Sequence, residues 1–159
     1  MKVATRLAAI ERYGAIDFAS RHWSKQGEWL VMLDVTKLNL PWVVGGTRIH
    51  PSHIAVNKDM SGPLERALSA IDNGGIASLL KTYDGCFNIR MVRGTNNAFS
   101  AHSYGLAIDI NCDDNGLGST HGGFYDHQNL VKCFLNEGFS WGGNFHGRKD
   151  PMHFSYCWE

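Results

Sequence analysis

The sequence lacks an excess of charge of either sign. Lysine and arginine together number 15, as do aspartate and glutamate, so the formal net charge is zero at pH 7. A chain without a global positive field is not drawn as a whole onto nucleic acid or an anionic membrane. Because there is also no basic stripe, we do not expect a nucleic-acid-binding protein.

Cysteine is scarce and irregularly spaced. The four cysteines, Cys86, Cys112, Cys133 and Cys157, include no pair separated by two residues. This usage does not indicate a disulfide scaffold in a chain of this length. We expect free, mostly buried thiols, which pack like small hydrophobic side chains.

Long apolar runs are also missing. No stretch approaches the length of a membrane-spanning helix, so we expect no membrane insertion. Near the beginning of the chain, the apolar residues 7–10 stop at Glu11, which is too short a run for the core of a signal peptide. We therefore expect synthesis in the cytoplasm and export by another route.

The composition is that of an ordinary globular protein, with 43% hydrophobic and 19% charged residues in 159. This length suits a single domain over residues 1–159 with a real hydrophobic core. Ser61 is the expected N-cap of a helix that has Pro63 in its first turn and ends at residues 73–75. Apolar periodicity predicts further helices over residues 76–80 and 126–137, and over 4–22 in one or two short pieces with a turn at Tyr13 and Gly14.

Two segments alternate between large apolar and small or polar residues, as half-buried strands do. They cover residues 106–111 and 152–158, and an apolar run at 29–33 predicts another strand. Helices and strands are mixed without regular βαβ units, so the sequence predicts an α+β fold.

The two alternating strands each present a potential metal ligand on the side opposite the large apolar residues. Asp109 has the small Ala107 beside it, and His153 has the small Ser155 beside it, which leaves room for an ion in a cleft between paired strands. His102 precedes Asp109 by seven residues. Two imidazole nitrogens and one carboxylate oxygen suit a single catalytic zinc ion, with a fourth position open for water.

Three more residues complete a candidate hydrolytic site. Asp150 lies three residues before His153 and is the candidate general base for the water. Arg90 and Arg93, upstream of His102, are candidates to stabilise negative charge on the scissile carbonyl or the substrate.

The residues around these ligands resemble a known family. Residues 100–109, SAHSYGLAID, match the SxHxxGxAxD signature of zinc D-Ala-D-Ala carboxypeptidases, and residues 150–154, DPMHF, resemble that family's second signature. Residues 139–143 resemble the strand and turn before that signature, and residues 87–94 resemble its arginine-bearing segment. The resemblance covers about residues 54–158 and leaves 1–53 as an N-terminal elaboration.

The resemblance implies a fold shared with lysostaphin-type peptidases and the hedgehog signalling domain, a small antiparallel sheet flanked by helices. By position, it makes His102, Asp109 and His153 the zinc ligands and Asp150 the general base. It makes Ser100 a residue that orients a ligand or the substrate. His146, in the loop before Asp150, is a further candidate for substrate binding, although an ordinary surface histidine is the simpler interpretation.

Asp150 departs from the D,D-carboxypeptidases, which usually have Glu at the base position. The phage L-alanyl-D-glutamate endopeptidases resemble this chain in having Asp. We therefore expect a monomeric endolysin that cuts peptidoglycan stem peptides after release through a holin pore. The alternatives are a D-Ala-D-Ala carboxypeptidase or a non-catalytic zinc or wall-binding module, and a pure binding module would have no need for Asp150.

Two other ion sites could be drawn from the sequence. Cys112, His121, His127 and Cys133 could form a structural zinc site, but their spacing matches no familiar zinc finger. Residues 113–115, Asp-Asp-Asn, could hold calcium through oxygen ligands. We favour a flexible loop for the first and a plain acidic turn for the second.

Overall fold

The computed structural model describes residues 1–159 and contains both helices and strands in an irregular order, which confirms the α+β class. The helices are α1 (Arg6–Tyr13), α2 (Gln26–Trp29), α3 (Lys58–Asn73) and α4 (Gln128–Asn136). The strands are β1 (Ile16–Asp17), β2 (His22–Trp23), β3 (Leu30–Asp34), β4 (Val43–Val44), β5 (His53–Asn57), β6 (Thr82–Gly85), β7 (Ala107–Ile110), β8 (Ser140–Trp141) and β9 (His153–Ser155). None of the helices is both long enough and apolar enough to cross a membrane.

The main sheet has five strands in the order β4-β6-β7-β9-β8. Strands β6, β7, β9 and β8 pair antiparallel to one another, as the resemblance implies. Strand β4 is added parallel to β6 at one edge, so the sheet as a whole is mixed. The two strands with alternating sequence, β7 and β9, are direct neighbours near the middle of the sheet.

The apolar side of this sheet packs against α4, which in turn packs against α3. Ile108 and Ile110 of β7 and Phe154 of β9 are fully buried there. Phe134 of α4 stacks on Phe154 with ring centres 4.2 Å apart. Leu135, on the other face of α4, is 38% exposed. The opposite side of β7 and β9 is thereby left for polar residues.

Helix α1 ends at the predicted turn of Tyr13 and Gly14, but no second helical piece follows it up to residue 22. Gly14 follows with φ +94°, a conformation that a helix cannot continue. The chain then forms the β1–β2 hairpin, where the Asp17 carboxylate accepts hydrogen bonds from the backbone N–H groups of Ala19 and Ser20. A short polar turn of this kind leaves only a weak signal in apolar periodicity.

Helix α3 begins earlier than the predicted cap at Ser61. Asn57 is the N-cap, and its side-chain oxygen accepts a hydrogen bond from the N–H of Asp59. Pro63 consequently lies in the second turn of the helix rather than the first. The predicted helix at 76–80 is a single 3-10 turn over Ala77–Leu79. All four cysteines are free, as expected, with Cys86 and Cys157 buried.

Aromatic residues of α1 and β2 pack against the turn that carries His102. The rings of Tyr13 and Trp23 lie 5.3 Å and 5.1 Å from the ring of Tyr104, which ends that turn. The Tyr104 hydroxyl also donates a hydrogen bond to the carbonyl of Gly14. These contacts with Tyr104 therefore help to hold the turn of His102 in place.

Replacing Trp23 by alanine tests this support. The ring is fully buried, so we expect W23A to lower the free energy of unfolding by about 3–5 kcal/mol. Phe18, 36% exposed, provides the control, and F18A is expected to cost about 1 kcal/mol or less. Urea denaturation followed by circular dichroism measures both. Equal stability of the two variants would show that the aromatic cluster does not hold the N-terminal third in place.

Candidate metal centre

His102 lies on a tight 3-10 turn over Ala101–Tyr104. Ser100 and Gly105 stabilise the two ends of this turn. The Ser100 hydroxyl accepts a hydrogen bond from the N–H of His102 at the start of the turn. Gly105 ends it with φ +66°, and a Cβ there would lie 2.9 Å from the backbone nitrogen of Asn57. Only glycine satisfies both constraints without strain. The turn thus delivers a buried imidazole toward the sheet.

Asp109 and His153 are paired directly across β7 and β9, with Ala107 opposite Ser155. Residues opposite each other in an antiparallel pair project on the same face, so the carboxylate and the imidazole lie side by side. The two small residues leave space next to them. This register is the arrangement that the alternating sequence predicts.

Three ligand atoms converge at this point. His102 Nε2 lies 3.2 Å from Asp109 Oδ1 and 3.2 Å from His153 Nδ1. His153 Nδ1 lies 2.9 Å from Asp109 Oδ1. No other group of three or more histidine, cysteine or acidic side chains comes this close together in the structure.

The outer nitrogens of both histidines face groups that only accept hydrogen bonds. His102 Nδ1 lies 2.8 Å from the carbonyl oxygen of Cys86, and His153 Nε2 lies 2.7 Å from a carboxylate oxygen of Glu159. Each outer nitrogen must therefore carry the proton, which leaves the inner nitrogen of a neutral imidazole with a lone pair. Partners of this kind commonly orient histidine ligands of metals.

The convergent atoms fit a zinc ion. Two nitrogen lone pairs and a carboxylate oxygen within hydrogen-bonding distance repel one another unless a cation or protons lie among them. Zinc bonds of about 2.0–2.1 Å in tetrahedral geometry separate ligand atoms by roughly 3.3 Å. The observed separations of 2.9–3.2 Å are close to this value.

The electrostatics of the three side chains agree with a cation site. Burial opposes charge on His153, but hydrogen bonds to Asp109 and Glu159 outweigh it and raise the pKa of His153 to about 10. Burial likewise opposes charge on Asp109, but the two histidines hold its pKa far below the ordinary value. Protons therefore occupy the site when no metal is bound, and metal binding must release them.

Two of the three ligands, Asp109 and His153, line an open cleft of about 240 Å³, and His102 contacts both of them. Asp150 lines this cleft, and its buried Oδ1 atom has no hydrogen-bond partner. Burial raises the pKa of Asp150 above the ordinary carboxyl value, although the nearby His153 opposes the shift. An unpartnered carboxylate of raised basicity, beside the candidate metal, is suited to accept a proton from water.

Asp150 is held by its backbone rather than by its side chain. Its N–H donates to the carbonyl of Gly142, and its own carbonyl accepts from the N–H of His153. A Cβ at Gly142 would lie 2.2 Å from the carbonyl oxygen of Asp150. Glycine is therefore required at this position of the Trp-Gly-Gly turn for the chain to bring Asp150 to the cleft.

Arginines supply the positive side of the cleft. Arg90 and Arg93 line it, as does Arg148, which the sequence analysis did not single out. None of the three forms an ion pair within the protein. Three guanidinium groups without carboxylate partners leave the cleft able to bind an anionic group.

Of the remaining predicted residues, Ser100 lines the cleft and caps the turn of His102. His146 does not line it but faces an adjoining groove with Phe145. Glu159 could not be predicted as a site residue, because no sequence motif links it to His153. Arg148 could have been noticed from its position two residues before Asp150.

The two alternative ion sites do not form. The thiol of Cys112 donates a hydrogen bond to the carboxylate of Asp84. The thiol of Cys133 donates one to the carbonyl of Asn129 within α4. Asp114 pairs with Lys81. The buried amide of Asn115 bonds to the backbone of Asn111 and Phe124. The residues of both alternative sites therefore interact with neighbouring protein groups and do not converge on an ion.

A family model described as D-alanyl-D-alanine carboxypeptidase matches residues 93–156. No curated protein and no solved structure matches the chain. The matched segment contains His102, Asp109, Asp150 and His153, whereas Arg90 lies before it. The match is narrower than the resemblance over 54–158, but it includes both motifs. Residues 93–156 are therefore similar to D-alanyl-D-alanine carboxypeptidases, which confirms the resemblance of the sequence motifs to that family.

Proposed function

We propose that the protein is a zinc-dependent endopeptidase that cuts peptidoglycan stem peptides between L-alanine and D-glutamate. The family match supports a zinc peptidase acting on peptidoglycan in general. The observation that favours an endopeptidase over a carboxypeptidase is that two further depressions share wall residues with the central cleft.

A second depression of about 510 Å³ shares Arg93, Asp109 and Met152 with the central cleft. The groove that contains His146 shares Val92, Phe145 and Glu159 with the central cleft. An endopeptidase must hold its substrate on both sides of the scissile bond, whereas a carboxypeptidase needs a closed end for the terminal residue. Two depressions that adjoin the central cleft support the first arrangement.

Within this proposal, His102, Asp109 and His153 hold one zinc ion. When bound, the ion lowers the pKa of water and polarises the scissile carbonyl. Asp150 removes the proton from the attacking water and then transfers it to the nitrogen of the leaving amino group. Its position in the cleft, without another hydrogen-bond partner, leaves its carboxylate free for both transfers.

The arginines of the cleft bind the negative charges of the reaction. Arg90 is half-buried, and its backbone is tied to Ser103 by hydrogen bonds in both directions. It is therefore well placed to stabilise the charge that develops on the carbonyl oxygen. Arg93 and Arg148 are exposed at the cleft and suit a carboxylate of the substrate, such as that of the D-glutamyl residue.

We further propose that residues 1–159 act as a single domain and a monomer of the phage endolysin type. Asp rather than Glu at position 150 supports this choice within the family. Such an enzyme acts on the cell wall after release through a holin pore. The D-Ala-D-Ala carboxypeptidase and the non-catalytic module remain the alternatives.

Mass spectrometry of purified sacculi digested with the protein, with and without a chelator, distinguishes these functions. Chelator-sensitive release of a new D-glutamate amino terminus is the expected result. Loss of a terminal D-alanine would instead assign the carboxypeptidase reaction. If the zinc-loaded protein gives no product, a binding module is the correct description.

The ligand assignment predicts the effect of His153→Ala. Removing one of three protein ligands should lower zinc occupancy severalfold or more, because each ligand supplies a large share of the binding energy. Inductively coupled plasma mass spectrometry of the purified variant measures this. His121→Ala, at an exposed loop position, should retain the occupancy of the unmodified protein. Full occupancy in H153A would refute the ligand.

The general-base assignment predicts a different outcome for Asp150→Ala and Asp150→Asn. Zinc should remain bound, while kcat/KM should fall by about 100-fold or more, because the water loses its proton acceptor. Asp126→Asn, on the surface, should leave the rate unchanged. Activity of D150N within a few fold of the unmodified enzyme would rule out Asp150 as the base.

A further inference from the structure

The last residues of the chain return to the candidate metal centre. After β9, Cys157 is buried and the ring of Trp158 packs edge-on against Phe99, with centres 5.6 Å apart. The guanidinium of Arg6 lies 5.3 Å from the centre of the Trp158 ring and donates a hydrogen bond to the carbonyl of Phe99. This arrangement fixes the direction in which the chain leaves Trp158 and places Glu159 on the wall of the cleft.

Glu159 contacts the outer side of one candidate ligand. Its Oε2 atom lies 2.7 Å from His153 Nε2, and its side chain is only 16% exposed. The corresponding contact of His102 is to a neutral carbonyl, that of Cys86. The two histidines therefore differ, because only His153 has an anion on its outer nitrogen.

We propose that Glu159 is a positioning residue that orients His153 and strengthens zinc binding. The inference rests on the proposed metal site but goes beyond the family motifs, since Glu159 lies outside the matched residues 93–156. A carboxylate can only accept here, so it keeps the proton on Nε2 and directs the lone pair of Nδ1 toward Asp109 and His102. Its negative charge also makes the imidazole a stronger donor to a cation.

Two substitutions at position 159 separate these effects from simple stabilisation of the fold. Glu159→Ala removes both the hydrogen-bond acceptor and the charge. Glu159→Gln retains an amide oxygen that can still accept from Nε2–H, so it removes mainly the charge. Glu137→Gln is the matched control, because Glu137 pairs with Arg66 on the surface away from the cleft.

Zinc affinity is measured by competition with a chromophoric chelator at a single pH, alongside the melting temperature of the zinc-free proteins. E159A is expected to bind zinc about 10–100-fold more weakly than the unmodified protein. E159Q should recover part of this loss, and E137Q should bind as the unmodified protein does. A melting temperature of zinc-free E159A close to that of E137Q would show that the effect acts on the ligand rather than on folding.

Zinc affinity of E159A within about twofold of the unmodified protein would overturn the proposal. So would equal weakening in E159A and E159Q accompanied by equal losses of melting temperature, since a purely structural role gives that pattern. If the unmodified protein itself does not bind zinc, the proposed function fails before the role of Glu159 arises. The two failures are therefore distinguishable.

Discussion

The antiparallel pairing of β7 with β9 is the constraint on which the rest of the site depends. It sets Asp109 directly opposite His153, and Ala107 opposite Ser155, on one face of the sheet. Because side chains alternate along a strand, a shift of one residue in either strand would turn the ligand into the core. The buried residues on the opposite face, including Ile108 and Phe154, make such a shift costly.

The other elements bring the remaining groups to this pair. The turn before β7 carries His102, and the aromatic cluster of the N-terminal third packs beneath it. The loop between β8 and β9 carries Asp150, which is held by backbone hydrogen bonds to Gly142 and His153. The site is thus assembled from chain segments far apart in sequence, and each is fixed by packing or backbone contacts that do not involve the metal.

Much of the site could be predicted from the sequence because its signals are local. Period-two alternation identified β7 and β9, and small neighbours marked the face that carries Asp109 and His153. The spacing from Asp150 to His153 identified the acid beside the ligands. The structure places Asp150, Arg90 and Arg93 around one cleft, as the catalytic interpretation requires.

What could not be predicted depends on long-range geometry or on weak local signals. Glu159 reaches His153 only because Trp158 and Arg6 direct the end of the chain, and no sequence spacing encodes that path. The parallel pairing of β4 with β6 joins residues about forty positions apart. The predicted helix over 4–22 was wrong beyond Tyr13, since the β1–β2 hairpin depends on Gly14 and a polar turn rather than on apolar periodicity.

The central claim is that one zinc ion is held by His102, Asp109 and His153. Anomalous X-ray diffraction from crystals of the zinc-loaded protein, measured at the zinc absorption edge, tests it directly. We expect a single peak in the anomalous difference map, about 2.0–2.2 Å from His102 Nε2, Asp109 Oδ1 and His153 Nδ1. A peak at other residues, with none at these three, would contradict it.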